Sequence, residues 1–235
     1  MTEQGHGTPR PTPHPAGDAG AERSCGSAVI LVHGLWMTGM EMSLLARRLH
    51  ADGYCPVKFR YASLRLGLCE AAEGLASFAS GFSHSGMLHF VGHSLGGLVI
   101  LKLFENYESA LLPPGRIVLL GTPCAGCLAA ERLASIPFGP RILGPGIGEL
   151  LSGKRPVWQG KRELGIIAGR IHVGLGRLLG IGGRPGDGTV LVEETELSGA
   201  TDRITVPATH TGLVLSRRAA REISSFLRHG RFGNA

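Results

Sequence analysis

Short apolar segments alternate along this chain with longer segments of helical periodicity, and this alternation restricts the fold more than any other feature. The apolar run 28–32 precedes a segment, 41–51, whose apolar residues recur at helical spacing. The same succession appears at 88–91 and in the apolar stretch that runs on to about residue 107. Strands that are apolar on both sides are typical of parallel sheets, in which helical crossovers cover both faces. The sequence therefore predicts an α/β fold with a predominantly parallel sheet flanked by helices on both faces.

The remaining segments continue this alternation through most of the chain. We expect further strands at 56–61, 116–120, 163–168 and 203–206. We expect further helices at 67–82, 125–135 and 212–228.

The pattern indicates one domain, 26–235, that follows a short lead. Residues 1–25 are rich in Pro, Gly, Thr and His, and we expect them to be disordered because few apolar groups offset the entropy cost of ordering. Segments 136–160 and 170–186 are rich in Gly and Pro, with apolar residues between them. These two segments form either a short apolar cap with an acyl-chain pocket or a cover for the sheet, and the sequence leaves both open.

Charge and hydropathy indicate which partners to expect. The chain has 24 Lys and Arg against 18 Asp and Glu, a net charge of +6. This excess is mild, and its one dense stretch has the spacing of a solvated helix face, so we predict no nucleic-acid partner. The basic residues of that stretch are Arg217, Arg218, Arg221, Arg228 and Arg231. No secretory signal or membrane-spanning run is recognisable, so we expect a cytoplasmic protein. Peripheral membrane contact and the oligomeric state stay open.

The cysteines do not follow a recognisable pattern. They are Cys25, Cys55, Cys69, Cys124 and Cys127, an odd number scattered through predicted core elements, which argues against a disulfide framework. Cys124 and Cys127 form a C-x-x-C pair, but no second pair or nearby His completes a zinc site. We therefore expect this pair to be two structural thiols at the start of a helix, and we predict no metal.

Gly92-His93-Ser94-Leu95-Gly96 matches G-x-S-x-G, the pattern of a nucleophile elbow, and lies between a predicted strand and a predicted helix. A nucleophile on such a strained turn needs neighbours without side chains, so Gly92 and Gly96 let strand and helix pack closely. The turn lifts the Ser94 hydroxyl above the sheet edge, at the positive end of the helix dipole. The Leu95 N–H can then point at a developing oxyanion. We predict that Ser94 is a nucleophile.

A serine hydroxyl needs a base that takes its proton. His210 follows the last predicted strand and precedes the last helix, which places it at the carboxyl edge of the sheet, where Ser94 emerges. His33 lies at the same edge, but its position before Gly34 suits a different task, and His93 must point away from the adjacent serine. The further histidines for which we expect surface or core roles are His84, His89, His172 and His229. We predict that His210 is the base.

The base in turn needs an orienting carboxylate. Asp187 lies between two glycines in a loop after the strand at 163–168, where it can reach the imidazole of His210. Asp202 is the rival, but it begins the last strand and so lies at the opposite edge. Glu193 and Glu194 are expected to be solvated or to cap the segment that follows them. We predict that Asp187 orients His210.

The second oxyanion donor of such sites comes from the loop after the first strand. His33-Gly34-Leu35-Trp36 ends that strand, so the Leu35 N–H is the natural donor and Gly34 allows the turn. The alternative is a plain turn at the end of a strand, with His33 packed inside.

Taken together, these residues resemble the α/β-hydrolase superfamily, in particular small bacterial esterases and lipases of the triacylglycerol-lipase kind and deacylases that act on glycolipid anchors. The matching motifs are His33-Gly34-Leu35-Trp36, Gly92-His93-Ser94-Leu95-Gly96-Gly97, Gly121-Thr122-Pro123, Asp187-Gly188-Thr189-Val190 and His210. The resemblance implies that Ser94 is acylated, that His210 is base and acid with Asp187 as its orienter, and that Leu35 and Leu95 donate to the oxyanion.

The resemblance also implies the reaction. We expect hydrolysis of a carboxylic ester, a small-molecule or lipid ester, through an acyl-serine intermediate and without a cofactor. The chain is shorter than many lipases and shows no calcium ligands or structural disulfide of secreted lipases, so we expect an esterase without a large lid. An acyltransferase or thioesterase would use the same triad, and a non-catalytic scaffold could keep the same fold. The natural ester is not readable from the sequence.

Overall fold

The computed structural model describes residues 27–83, 86–107, 112–181 and 183–233. The strands are β1 (Ser27–Val32), β2 (Cys55–Phe59), β3 (Met87–His93), β4 (Ile117–Leu120), β5 (Leu164–Gly169) and β6 (Asp202–Val206). Within these ranges they form one sheet in the order β2-β1-β3-β4-β5-β6. Every neighbouring pair is parallel, so all six strands end at the same edge. The lead at 1–25, with Cys25, lies outside the described residues, as does His84.

Helices lie in the connections between successive strands, and two more follow the last strand. They are α1 (Ser43–Ala51), α2 (Leu68–Ser80), α3 (Leu95–Asn106), α4 (Leu128–Ala134), α5 (Gly139–Leu151), α6 (Leu175–Leu178), α7 (Gly212–Leu215) and α8 (Arg217–His229), with a short 3-10 helix at Glu193–Thr195. None of the described helices combines the length and the apolar character needed to cross a bilayer. The predicted basic stretch lies in and just after α8, where its arginines are exposed, as expected for a solvated face.

The core has two parts, one on each face of the sheet. Successive residues of a strand point to opposite faces. In β1, Ile30 and Val32 belong to a buried cluster with residues of α2, α3, α4 and α5. Val29 and Leu31 belong to the other cluster, with residues of α1, α7 and α8. This arrangement confirms the predicted α/β class and explains why a central strand such as β4 is apolar throughout.

Two elements differ from the sequence-based expectation. The Gly- and Pro-rich segment 136–160, which is not among the predicted helices, contains α5, which is kinked where Gly144 takes a positive φ of 70° before Pro145. The predicted single helix 212–228 is broken into α7 and α8 at Ser216, which is extended and whose hydroxyl accepts a hydrogen bond from the Ala219 N–H. Glycine and proline have low helix propensity, so propensity does not predict α5. The break at Ser216 is not predicted because the apolar pattern continues across this capping serine.

The cysteines require one correction. Cys55, at the start of β2, is disulfide-bonded, so the argument against disulfides fails there. Cys69, Cys124 and Cys127 are free thiols. Cys124 precedes α4 and Cys127 is its N-cap, and burial raises the pKa of both thiols to about 12. The prediction that this pair is structural is therefore confirmed, because a buried thiol with such a pKa is not a nucleophile at neutral pH.

Candidate active site

The candidate residues lie at the carboxyl edge of the sheet. Ser94 directly follows β3, and its N–H donates to the carbonyl of Leu120, the last residue of β4, at 2.9 Å. A Cβ atom placed on Gly121, the next residue, would lie 2.9 Å from Asp187 Oδ2 and 3.2 Å from His210 Nδ1. The ends of β3 and β4 thus bring the serine, the aspartate and the histidine to one region.

Ser94 has a backbone conformation that is rare for a residue with a side chain. Its φ is 52° and its ψ is −123°, and such strain persists only where the surrounding structure enforces it. The enforcement is close packing. A Cβ on Gly92 would lie 2.6 Å from the Cα of Gly97, and a Cβ on Gly96 would overlap the carbonyl oxygen of Val32. The strand before the turn and the helix after it approach as closely as the glycine pattern predicts.

The start of α3 faces the end of β1. Leu95 is the first residue of α3, and its N–H is one of those that a helix leaves without an internal partner. A Cβ on Gly34 would lie 3.1 Å from Ser94 Cβ, so the loop that carries Leu35 passes directly beside the serine. Two backbone N–H groups, those of Leu35 and Leu95, therefore belong to segments that flank Ser94.

His33 fixes the turn that carries Leu35. Its Nδ1 donates to the Gly34 carbonyl at 2.9 Å, and its Nε2 accepts from the Tyr61 N–H at 3.4 Å. Burial lowers the pKa of His33, so the ring is neutral, and the acceptor role of Nε2 places the proton on Nδ1. Since the C=O and the N–H of one planar trans peptide point in opposite directions, this bond turns the Leu35 N–H away from the His33 ring.

Asp187 holds His210 at two points. Its Oδ2 accepts from His210 Nδ1 at 2.7 Å, and its main-chain carbonyl accepts from the His210 N–H at 2.8 Å. Its other oxygen, Oδ1, accepts from the N–H groups of Thr189 and Val190 at 2.9 and 2.8 Å. The carboxylate is buried, so its lone pairs are used by the protein and not by solvent. The His210 proton on Nδ1 leaves Nε2 available as a base.

No hydrogen bond joins the Ser94 hydroxyl to the His210 ring in the described part of the chain. The histidine is nevertheless close to the elbow, since its ring centroid lies 4.7 Å from that of His93. Hydrogen bonds between a nucleophile and its base are often long in ligand-free sites and tighten only when substrate is bound.

His93 has contacts that the sequence argument did not foresee. Its Nε2 lies 3.0 Å from the main-chain carbonyl oxygen of His210. The side chain is buried. Nothing in the sequence signals this bond, because its partner lies 117 positions along the chain.

The rival carboxylates lie elsewhere. Asp202 begins β6 at the amino edge and accepts from the Phe232 N–H at 2.8 Å. Glu194, expected to be solvated or to cap the following segment, instead accepts from the Leu128 N–H at 2.6 Å and so caps α4. Burial raises the pKa of Glu194. Glu193 is exposed and pairs with Arg184.

The other histidines serve the fold or the surface. His89 is buried in β3 and accepts from the Arg116 N–H at 2.9 Å. His172 contacts the carbonyl of Ile181, and His229 is exposed at the end of α8. These positions match the roles expected from the sequence.

The predicted cap segments lie beside the site. Trp36, one residue after Leu35, is 49% exposed, has a positive φ of 59°, and donates from Nε1 to the Ile142 carbonyl of α5 at 2.8 Å. The Gly176 N–H of α6 donates to the Gly188 carbonyl, next to Asp187, at 2.6 Å. Helices α5 and α6 are thus each hydrogen-bonded to a loop that carries candidate residues.

Comparison with known proteins gives similarity in structure alone. No protein-family model matches the sequence, and no curated protein matches it. Among solved structures, the mature lipase BlEst2 of Bacillus licheniformis superposes with a TM-score of 0.71 at 17% identity, covering 90% of this chain and 94% of that one.

Two further solved structures are similar. The metagenomic carboxyl esterase MGS0156 has a TM-score of 0.64 at 17% identity and covers 83% of this chain and 69% of its own. The pyrethroid hydrolase PytH has a TM-score of 0.58 at 15% identity, and the match covers 86% of this chain and 98% of that one. At such identities the likeness establishes the fold. The chain has the α/β-hydrolase fold, and the similar structures are lipases, esterases and a hydrolase.

Proposed function

We propose that this protein is a serine hydrolase that cleaves carboxylic esters through an acyl-serine intermediate. The observation that carries the proposal is the bond of 2.7 Å between a buried Asp187 and His210 Nδ1, at the sheet edge where Ser94 sits on a strained turn. An imidazole that is held in one tautomer by a carboxylate, near a hydroxyl presented on an elbow, is the arrangement that activates serine in acyl transfer. The similar folds of a lipase and a carboxyl esterase support the same chemistry.

In the first half-reaction, Ser94 Oγ attacks the ester carbonyl carbon while His210 Nε2 takes the hydroxyl proton. The carbonyl oxygen becomes an oxyanion that accepts from the N–H groups of Leu35 and Leu95, which are aimed before the reaction begins. Asp187 stabilises the imidazolium that forms. The C–O bond then breaks, and His210 returns its proton to the leaving alcohol.

In the second half-reaction, water takes the place of the alcohol. His210 removes a proton from the water as it attacks the acyl carbon, and the same two N–H groups receive the second oxyanion. The acid leaves as Ser94 Oγ recovers its proton from His210. Each half-reaction ends with His210 neutral and the oxyanion discharged, so the chain's own residues complete the cycle.

The experiment is covalent labelling with a fluorophosphonate, which reacts with activated serine hydroxyls. We expect the wild-type protein to be labelled and Ser94→Ala to lose both labelling and hydrolysis of p-nitrophenyl butyrate. Ser80→Ala, an exposed serine at the end of α2, is the matched control and should behave as wild type. An unlabelled wild-type protein would support the scaffold alternative, and label retained in Ser94→Ala would assign the nucleophile elsewhere.

A second assay separates the related activities. Hydrolysis rates of p-nitrophenyl esters of increasing acyl length measure which chain length the protein prefers. This preference tests whether the apolar segments that contain α5 and α6 bind the acyl chain. Adding an alcohol or thiol acceptor then distinguishes hydrolysis from acyl transfer, because a transferase forms the new ester or thioester in preference to the free acid.

A further inference from the structure

The ring of His93 joins the nucleophile elbow to the loop that carries the base. His93 is the residue before Ser94, and its Nε2 lies 3.0 Å from the main-chain carbonyl oxygen of His210. The two imidazole centroids are 4.7 Å apart. We infer that His93 is a positioning residue, which holds the backbone of His210 against the elbow by donating its Nε2–H to the His210 carbonyl. This inference rests on the proposed function.

The direction of this hydrogen bond follows from the chemistry of its partner. A carbonyl oxygen can only accept, so Nε2 must carry the proton, and a neutral ring then has no proton on Nδ1. Complete burial lowers the pKa of His93 to about 3, which keeps the ring neutral. The titratable groups that face it are His210, Asp187 and His33.

With this bond, the main chain of His210 is fixed on both sides. Its N–H donates to the Asp187 carbonyl at 2.8 Å, its C=O accepts from His93, and its Nδ1 donates to Asp187 Oδ2 at 2.7 Å. The two contacts with Asp187 join His210 to the loop that carries Asp187 and not to the segment that carries Ser94. The His93 contact is the one of these three that ties it to the segment bearing Ser94, and so it bears on the separation of base and nucleophile.

The second ring nitrogen shows why a mere space-filling role does not explain this side chain. Nδ1 of His93 is buried and has no hydrogen-bond partner among the described residues. A buried polar atom without a partner destabilises the folded state, and an apolar side chain of similar volume would avoid that loss. The imidazole therefore offers one advantage at this position, the Nε2–H.

The experiment compares two substitutions of nearly equal shape, His93→Gln and His93→Met. Glutamine keeps an N–H donor at a similar reach, whereas methionine keeps the length without the donor. We expect Met to lower kcat for p-nitrophenyl butyrate on the order of a hundredfold, the effect of misplacing a reacting group by about 1 Å, with KM close to wild type. Glutamine should restore most of kcat. Rates are expressed per active site, counted by fluorophosphonate labelling.

His89→Met is the control for a general effect of removing a buried histidine. His89 lies in the same strand, is equally buried and also bonds to a main-chain group, but at a distance from the edge. It should lower the free energy of unfolding in urea while leaving kcat per active site unchanged. If His93→Met does not fold, His93→Phe, which keeps the ring volume, tests the same loss.

Two results would overturn the inference while leaving the proposed function intact. One is a His93→Met enzyme with wild-type kcat, and the other is an equal loss of kcat in the Gln and Met variants. A wild-type protein that the fluorophosphonate does not label would overturn the proposed function, and this inference with it.

Discussion

Single residues in the candidate site are held by contacts with the main chain more than with other side chains. The Asp187 carboxylate accepts three hydrogen bonds, two from main-chain N–H groups and one from the His210 ring, and its main-chain carbonyl accepts a fourth. His33 directs the peptide that leads to Leu35 through one bond to a carbonyl. Such contacts restrict both the position and the direction of the groups, which is what proton transfer and oxyanion binding require.

Asp187→Asn tests the orientation of the base. The amide oxygen of asparagine can keep the bonds from Thr189 and Val190, so its NH₂ then faces His210 Nδ1, where two donors would meet. The ring relieves this by moving its proton to Nε2, which can no longer accept from Ser94. We expect kcat for p-nitrophenyl butyrate to fall by about 10⁴-fold with the fold retained.

Asp202→Asn is the control for that substitution. Asp202 is also a hydrogen-bonded aspartate but begins β6 at the amino edge, and its substitution should leave kcat unchanged. An Asp187→Asn enzyme with wild-type kcat would show that Asp187 does not orient the base.

At the scale of elements, α5 shows how a kinked helix can cover a site. Gly144 has a φ of 70°, and a Cβ there would lie 3.0 Å from the Leu64 carbonyl oxygen. The first half of α5 contacts the loop that carries Leu35 and Trp36, where the Ile142 carbonyl accepts from Trp36 Nε1. The second half contributes Ile147 and Leu150 to the buried cluster that also contains residues of α2 and α4.

Two glycines of α5 should respond to alanine in opposite ways. Gly144→Ala introduces a Cβ at a left-handed residue against a main-chain carbonyl, and we expect it to lower the free energy of unfolding by about 1–2 kcal/mol. Gly148→Ala lies in the helical part, where a Cβ would meet nothing within 4 Å, and should raise it by up to about 1 kcal/mol. Urea unfolding monitored by circular dichroism measures both. Equal effects of the two substitutions would contradict the kink.

At the scale of the whole molecule, the sheet buries ionisable groups on one of its faces. His89 and His93 are buried in one strand, and burial lowers their pKa values from 6.5 to about 4 and about 3, with Arg116 and Arg162 also lowering that of His89. Below pH 6.5, His89 and His93 take up protons in the unfolded chain but stay neutral in the folded chain until the pH approaches their lowered pKa values. The unfolded state then binds more protons, so stability falls as the pH falls through this window.

His89→Gln should reduce this acid sensitivity. Between pH 6.5 and 4, the slope of the unfolding free energy against pH should become smaller by about 1.4 kcal/mol per pH unit, the contribution of one such group. Urea unfolding at a series of pH values measures the slope. His229→Gln, at an exposed ring on α8, is the control and should keep the wild-type slope. An unchanged slope in His89→Gln would show that His89 titrates alike in both states.

The sequence by itself determined the parallel sheet, the elbow at Ser94 and the positions of Asp187 and His210 at one edge of the sheet. These follow from local patterns, since a buried strand must be apolar throughout and a strained turn needs glycine on both sides. Chain order then places every loop that follows a parallel strand at the same edge.

Only the tertiary structure decided the helical form of α5, the disulfide at Cys55, the capping role of Glu194 and the contact of His93 with His210. The last two depend on groups that are distant along the chain and meet only after the layers pack. Glu194 caps a helix that begins 66 positions earlier, and His93 reaches across 117 positions. Periodicity and turn chemistry describe a residue's near neighbours, whereas hydrogen bonds between loops depend on which strands lie side by side.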